Sequence, residues 1–397
     1  MKLGLALSGG GFRATVFHLG TLARLAESGQ LEDVTFLSTV SGGSLCVALI
    51  HALNDLQWPT SHRYLEHVLP AVQRILTTKD FQRSIIARAL RSPLRIFETR
   101  ADDLSALIQE HWGVTAVLSD LPVSPRWMIN ATTCETGKNW RWERFRMGDY
   151  LFGYSYDTQK VLLADAVASS AGFPGLIGPL VFDTRPYRWF RYKESSKTLV
   201  DPETQRQRKT EPVTPDFPVV HLWDGGVYDN HGLEGLHDFI RGWREDIEFF
   251  IVSDGAGRAK PERYSPGIKA LMRISTGIMM DQVRSLRARA IVERLINHED
   301  PGAFLQAGNT GRYILRQSKL PQEEIDRIFA DSMADEEAVL AAEIPTVIRK
   351  LADVEFQRLF RHGFEVADYT LYGYHPEAFT HISYSQAKSN ARIIQPV

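Results

Sequence analysis

Three short motifs carry the residue types that ester chemistry needs. The stretch Leu37-Ser38-Thr39-Val40-Ser41-Gly42-Gly43-Ser44 sets a serine where an apolar run meets two glycines. A nucleophile elbow places its serine on such a strand-to-helix turn, strained and exposed, with small neighbours that let the backbone fold back. Ser41 fits that place with Gly42 and Gly43 behind it, while Thr39 stands where G-x-S-x-G has its first glycine. A helix N-cap is the plainer role for Ser41, and Ser38 and Ser44 are the alternative nucleophiles.

The second motif, Ser8-Gly9-Gly10-Gly11-Phe12-Arg13-Ala14, follows the apolar run 3–7. Glycines let successive backbone N–H groups converge, and the start of a following helix adds partial positive charge, so this loop suits an anion. That anion is either a phosphate or the oxyanion of a tetrahedral intermediate. The spacing is not G-x-G-x-x-G and no G-x-x-x-x-G-K-[ST] occurs, which weighs against phosphate. Arg13 either locks the loop or meets a substrate phosphate.

The third is Asp224-Gly225-Gly226, after the apolar run 219–223; Asp254-Gly255-Ala256, after 247–253, is a rival of the same type. An aspartate ending a sheet strand and turned by glycine can reach the mouth where ligands bind, although singly each reads as an Asx-turn. His221 or His231 could instead complete a Ser-His-Asp triad.

These residues need a scaffold that brings three distant turns together, and the periodicity supplies one. Residues 3–7 and 34–40 read as buried strands, while Phe17, Leu19, Leu22, Leu25 and Ala26, and then 45–53, read as helices. Strand, helix, strand, helix within about fifty residues predicts a parallel sheet covered on both faces. Residues 61–112 read as a helical insertion, with strands again at 126–131, 140–145, 219–223 and 247–253 and a helix over 161–170. Residues 193–218 are polar and read as a surface loop, and 261–397 reads as mostly helical with strand-like runs such as 313–315. The expected division is a catalytic α/β domain over 1–260, with 58–112 as insert or cap, and a helical C-terminal region over 261–397 packed upon it.

Composition bounds the function. The 397 residues are 44% apolar and 24% charged, an ordinary globular balance. Lys plus Arg (46) nearly matches Asp plus Glu (48), so no global field recruits a nucleic-acid polymer. The apolar runs fall far short of the ~20 residues of a membrane span, and the N-terminal one is too short for a secretory signal. Cys46 and Cys134 lack metal-ligand spacing and suit a reducing compartment, which makes the cytoplasm the expected location, with peripheral contact to membrane.

Taken in order, the motifs resemble those of bacterial patatin-like phospholipases, which share a Ser-Asp dyad with the cytosolic phospholipase A2 group. The family's G-G-G-x-[RK]-[GA] falls on Gly9 to Ala14, its nucleophile motif on Thr39 to Gly43, and its D-G-[GA] on Asp224 to Gly226. Val227 to Asn230, Ala168 to Ala171 leading to Pro174 and Pro179, and Ile129 to Thr133 with Glu135-Thr136-Gly137 are similar to further family blocks. The likeness spans residues 3 to about 257 and is silent on 58–112 and on the chain beyond 260. It implies a three-layer α/β/α fold around a mainly parallel sheet and a lipid acyl hydrolase of the phospholipase A or lysophospholipase type. In that reading Ser41 is the nucleophile and Asp224 its general base. The N–H groups of Gly9, Gly10, Gly11 and Gly42 form the oxyanion hole, supported by Arg13, Gly43, Gly225 and Gly226, with no metal or cofactor.

The implied partner is a phospholipid or membrane surface, and two basic amphipathic stretches bear on it. In 79–100, Phe81, Ile85, Ile86, Leu90 and Leu94 interleave with Lys79, Arg83, Arg88, Arg91 and Arg95; in 268–295, Leu271, Ile274, Ile278, Val283 and Leu286 interleave with Lys269, Arg273, Arg284, Arg287 and Arg289. Each either lies in an anionic lipid surface or packs its apolar face on the sheet. Two other functions stay open: an effector phospholipase switched on by a small-molecule activator or partner, and a catalytically weak lipid-binding scaffold. A homo-oligomer is compatible with either.

Overall fold

The computed structural model describes residues 1–91, 100–192, 210–238, 242–257, 261–297 and 300–390. In chain order the strands are β1 (Leu3–Leu7), β2 (Val34–Val40), β3 (Arg126–Thr133), β4 (Asn139–Trp142), β5 (Met147–Asp149), β6 (Gly153–Ser155), β7 (Leu180–Asp183), β8 (Trp189–Tyr192), β9 (Thr210–Val213), β10 (Val219–Asp224), β11 (His237–Asp238), β12 (Gly242–Trp243), β13 (Phe249–Asp254) and β14 (Gly302–Gln306). The main sheet runs β14-β13-β1-β2-β3-β4-β5-β6-β8-β9, with β10 joining β3 to β7; β11 and β12 pair separately. From the edge inward, strands β14, β13, β1, β2 and β3 are parallel, as the alternation of strands and helices predicts, and the sheet then continues antiparallel.

Both faces are covered. Leu3, Leu5 and Leu7 of β1 join the larger core, while Ala6 joins a smaller one with Phe36, Met128, Phe250 and Val252. A strand buried on both sides is what an all-apolar pentad requires. On the larger core lie the helices α1 (Gly11–Glu27) and α2 (Gly42–Ala52), together with the long C-terminal helix Asp353–Tyr374. Gly20 and Gly363 have no room for a side chain against the backbone of Phe360 and Phe17, so that helix lies directly on α1. Phe356, Phe360 and Phe364 are buried there. On the opposite face the helix Met280–Asn297 buries Ile291 in the smaller core, with Leu295 packed against it.

The topology of β3 positions the site. Along one edge it pairs β2 from Arg126 to Asn130, and where β2 stops, β10 takes over from Ala131 to Thr133, running antiparallel. The strands β2 and β10 therefore meet end to end, C-terminus to C-terminus. Ser41, just past β2, and Asp224, the last residue of β10, are thrown together by that junction.

Other expectations need correction. The run 313–315 belongs to the helix Gly311–Gln317, started by Thr310, whose Oγ1 accepts the Tyr313 N–H at 3.3 Å. A short run with one aromatic and one β-branched residue does not outweigh a capped helix. Within the expected loop 193–218, Thr210–Val213 pairs with β8, while 193–209 lies outside the described residues. In the first amphipathic stretch Phe81 and Ile85 are buried in the core and Ile86 is exposed; Leu94 and Arg95 lie outside the described residues.

Candidate active site

Ser41 is the turn residue between β2 and α2. Its backbone sits at φ 49°, ψ −111°, a conformation that costs a non-glycine residue about 1–3 kcal/mol and persists only when the surroundings enforce it. Here they do. A Cβ on Gly42 would collide with the Gly11 carbonyl and one on Gly43 with the Leu7 carbonyl, and the Gly43 N–H donates to Ser8 O at 3.1 Å. The elbow and the glycine loop are thus in backbone contact, which only glycine at 42 and 43 allows.

Asp224 is held from every side. Its N–H donates to Gly172 O at 3.1 Å, its carbonyl accepts the Thr132 hydroxyl at 2.8 Å, and its Oδ1 accepts the Gly226 N–H at 2.7 Å. The Ser41 hydroxyl donates to the same carboxylate. Burial pushes the Asp224 carboxyl up to about 7, and the bonds from Gly226 and Ser41 offset this only in part. The two side chains meet directly, without a histidine between them.

The rivals are engaged elsewhere. Asp254 ends β13 with its carboxylate 3.1 Å from Arg284 Nη1 and 3.3 Å from His231 Nε2, and it accepts the Ala256 N–H at 3.0 Å. Burial alone would raise its carboxyl, but His231 and Arg284 hold it well below the carboxylate range. His221 faces Glu135, 2.6 Å from its Nδ1. Ser38 donates to Gly232 O at 2.5 Å, and Ser44 lies 2.8 Å from both Thr39 Oγ1 and Ser170 Oγ.

The glycine loop and the elbow place two helix N-termini side by side, those of α1 at Gly11 and α2 at Gly42. First-turn N–H groups have no acceptor within their own helix and carry the positive end of the helix dipole. Gly10 (φ 142°) and Gly11 (φ 60°) turn the chain into α1. Gly9 is spoken for: its N–H donates to Asn230 O at 3.0 Å. Arg13 is buried and turns away from the mouth, donating from Nε to Gly255 O at 3.2 Å and from Nη1 to Ile344 O at 2.7 Å. These bonds tie the start of α1 to the turn after β13 and to the C-terminal region. Burial pulls the Arg13 pKa down to about 10, against the opposing charge of Asp254.

Several supporting residues were not picked out from the sequence. Ser170 Oγ accepts the Ser41 N–H at 3.0 Å, and the Ser170 carbonyl accepts the Gly225 N–H at 3.2 Å, so one residue ties the turn at Ser41 to the turn after Asp224. It lies in the block 168–171, already similar to family sequence but without an assigned role. His18 Nε2 is 3.0 Å from Ser8 O and its Nδ1 2.9 Å from Ser253 Oγ. A carbonyl only accepts, so Nε2 carries the proton, and burial, which lowers the His18 pKa to about 4, keeps the ring neutral. Nothing in its spacing marks it. Among the described residues no group of three or more His, Cys, Asp or Glu side chains gathers as for a metal ion, and no helix is long and apolar enough to cross a membrane.

The family model for patatin-like phospholipase matches residues 5–237, which contain the glycine loop, Ser41 and Asp224. The chain belongs to the patatin-like phospholipase family. Among solved structures, human GIVD cytosolic phospholipase A2 is similar at 13% identity over 92% of this chain and 60% of that one, with a TM-score of 0.50. The same human protein in complex with methyl gamma-linolenyl fluorophosphonate matches at 14% identity over 92% and 57% of the two chains, with a TM-score of 0.48. VipD from Legionella pneumophila matches at 15% identity over 91% and 67%, with a TM-score of 0.32. No curated protein matches in sequence. At such identities the likeness shows the fold, and this patatin-like chain spans about 60% of the human enzyme's length. The region beyond residue 237 lies outside the family model, yet Ile344 O and Val347 O hold Arg13 and the Phe12 N–H of the glycine loop.

Proposed function

We propose that this chain is a lipid acyl hydrolase that cleaves fatty-acyl esters through Ser41 and Asp224. The feature that most supports it is the buried Asp224 carboxyl placed beside the Ser41 hydroxyl, with burial raising its pKa to about 7. A base is most effective when its pKa lies near the working pH. Asp224 takes the Ser41 proton as Oγ attacks the ester carbonyl carbon, whose oxygen gains the negative charge. Collapse breaks the ester C–O bond, the leaving alcohol takes the proton from Asp224, and the acyl group stays on Ser41. Water, deprotonated by Asp224, then attacks the acyl carbon, the bond to Ser41 Oγ breaks, Asp224 returns the proton to Ser41, and the fatty acid leaves. The N–H groups of Gly10, Gly11 and Gly42 hold the oxyanion, each worth about 3–4 kcal/mol in studied hydrolases, while Gly9 shapes the loop through Asn230.

A second reading makes the enzyme a switched effector. It draws on the carbonyls of Ile344 and Val347, through which a ligand of the C-terminal region would reach the glycine loop. The scaffold reading loses its motive, since Thr39 is bonded into the elbow.

The test exposes the wild type, Ser41→Ala, Asp224→Ala and Asp254→Ala to a fluorophosphonate probe and follows fatty-acid release from mixed phospholipid vesicles. Labelling and release lost in Ser41→Ala, with release lost in Asp224→Ala and kept in Asp254→Ala, supports the dyad. A folded wild type that neither labels nor releases fatty acid, with or without an added nucleotide or partner, sinks it, and activity only with such an addition picks the effector.

A further inference from the structure

From Ile268 to Met279 the chain is helical, with Arg273–Met279 widened into a π-helix, and none of its residues is buried. Ile268 is 72% exposed and Leu271 64%, followed by Ile274, Ile278, Met279 and, one helix further, Leu286, all exposed. Steps of three and four residues set most of these on one outward side. A soluble monomer seldom leaves so long an apolar row in water.

The inner side of the same segment is pinned beside the dyad. Met272 Cε lies 2.5 Å from where a Cβ on Gly175 would stand, in the loop whose Gly172 carbonyl holds the Asp224 N–H. Arg284 pairs with Asp254, and Arg287 reaches Asp229 at 3.7 Å and Glu234 at 3.1 Å, tying the helix Met280–Asn297 to the turn that follows Asp224. Residues 261–297 carry seven Lys or Arg against three Asp or Glu, in a chain of net charge −2. With Arg284 and Arg287 turned inward, Arg263, Lys269 and Arg289 remain exposed around the apolar row.

We infer that the outward face of residues 268–286 docks the enzyme on a lipid bilayer, its apolar row entering the headgroup boundary and its exposed cations meeting anionic lipid, with the Ser41 mouth held at the surface. A large apolar side with basic neighbours is the chemistry of an interfacial helix. The inference deepens the hydrolase reading and rests on it for the benefit of docking there, but the binding is measurable alone.

The experiment co-sediments the full chain with vesicles of phosphatidylcholine, with and without phosphatidylglycerol, and measures fatty-acid release from them beside hydrolysis of the soluble ester p-nitrophenyl butyrate. Expected for Leu271→Glu/Ile274→Glu/Ile278→Glu is a loss of vesicle affinity and vesicle hydrolysis of roughly tenfold or more, with soluble-ester turnover and melting temperature unchanged. Lys269→Glu/Arg289→Glu should lose only the gain from phosphatidylglycerol. Wild-type vesicle affinity in the triple variant overturns the inference, as does light scattering that shows a wild-type dimer which the triple variant splits. Vesicle binding without turnover of either substrate upholds the docking face and sinks the hydrolase reading.

Discussion

Thr39 Oγ1 stands 2.8 Å from Ser44 Oγ, and the contact starts a run of hydroxyls that ends on the turn at Ser41. Ser44 Oγ is 2.8 Å from Ser170 Oγ, which accepts the Ser41 N–H at 3.0 Å, while Thr39 Oγ1 also accepts the Trp127 indole N–H at 2.9 Å. The residue standing in place of the elbow's first glycine thus braces the elbow. Thr39→Val keeps the shape, removes the hydroxyl and strands a buried donor, for a cost of about 1–3 kcal/mol in stability. We expect kcat on a soluble ester to fall roughly tenfold, about 1.4 kcal/mol, with KM unchanged and Thr39→Ser close to wild type. Steady-state kinetics decides, since unaltered kcat in Thr39→Val would make the threonine a packing residue.

In the proposed mechanism the Asp224 carboxyl is the base that sets the pH profile. With its pKa raised to about 7 by burial, the base is protonated and inactive in mild acid. The acidic limb of kcat/KM for a soluble ester should therefore rise through about pH 7. A limb near the ordinary carboxylate range of about 4 would show that Asp224 is not so perturbed.

The same shift predicts a stability effect of definite sign. A carboxyl whose folded pKa exceeds its unfolded value favours folding while protonated, so its contribution is present at low pH and is lost as pH rises through about 7. Asp224→Asn, which stays neutral, should melt higher than wild type at pH 8, by less than half as much at pH 5, and about equally only below about pH 4, with an upper bound of about 4 kcal/mol. Equal melting shifts at both pH values would contradict the burial of a charged Asp224.

Arg13 joins the glycine loop to the C-terminal region through Ile344 O. Arg13→Ala leaves buried carbonyls without their donor and should cost about 2–4 kcal/mol in thermal or urea unfolding. Labelling of Ser41 by a fluorophosphonate should slow as the loop loosens. Undiminished labelling would separate the clamp from catalysis.

Asp254→Asn tests the discarded base. It removes the charge opposite Arg284 and His231, and breaking a buried pair costs about 3–5 kcal/mol. The variant should melt lower but retain ester turnover per folded molecule, as active-site titration can show. Turnover abolished in a well-folded Asp254→Asn would reopen the choice between the two aspartates.

Local chemistry was legible wherever it depends on neighbours in the chain. Gly42 and Gly43 announce a backbone that must fold tightly behind Ser41, and the all-apolar run Leu3–Leu7 announces a strand buried on both faces. The antiparallel extension was not legible, because strands as short as Met147–Asp149 and Gly153–Ser155 leave too few residues for a period. Nor was the partner of each polar side chain. His18 reads as one more residue on an apolar helix until Ser8 O and Ser253 Oγ are seen on either side of its ring.

The sequence by itself determined the residue types: a serine that only small neighbours allow to turn, a glycine loop at a helix start, and an aspartate ending a strand. The family resemblance singled out Asp224, but the physical reason that Asp224 and not Asp254 stands beside Ser41 lies in the tertiary structure. The pairing of β3 makes β2 and β10 meet end to end, so Asp224 reaches Ser41, while parallel β13 delivers Asp254 to Arg284 and His231. Two aspartates in nearly the same local sequence thus acquire opposite shifts. Charge and burial act through space, and their partners lie on elements far away in the chain.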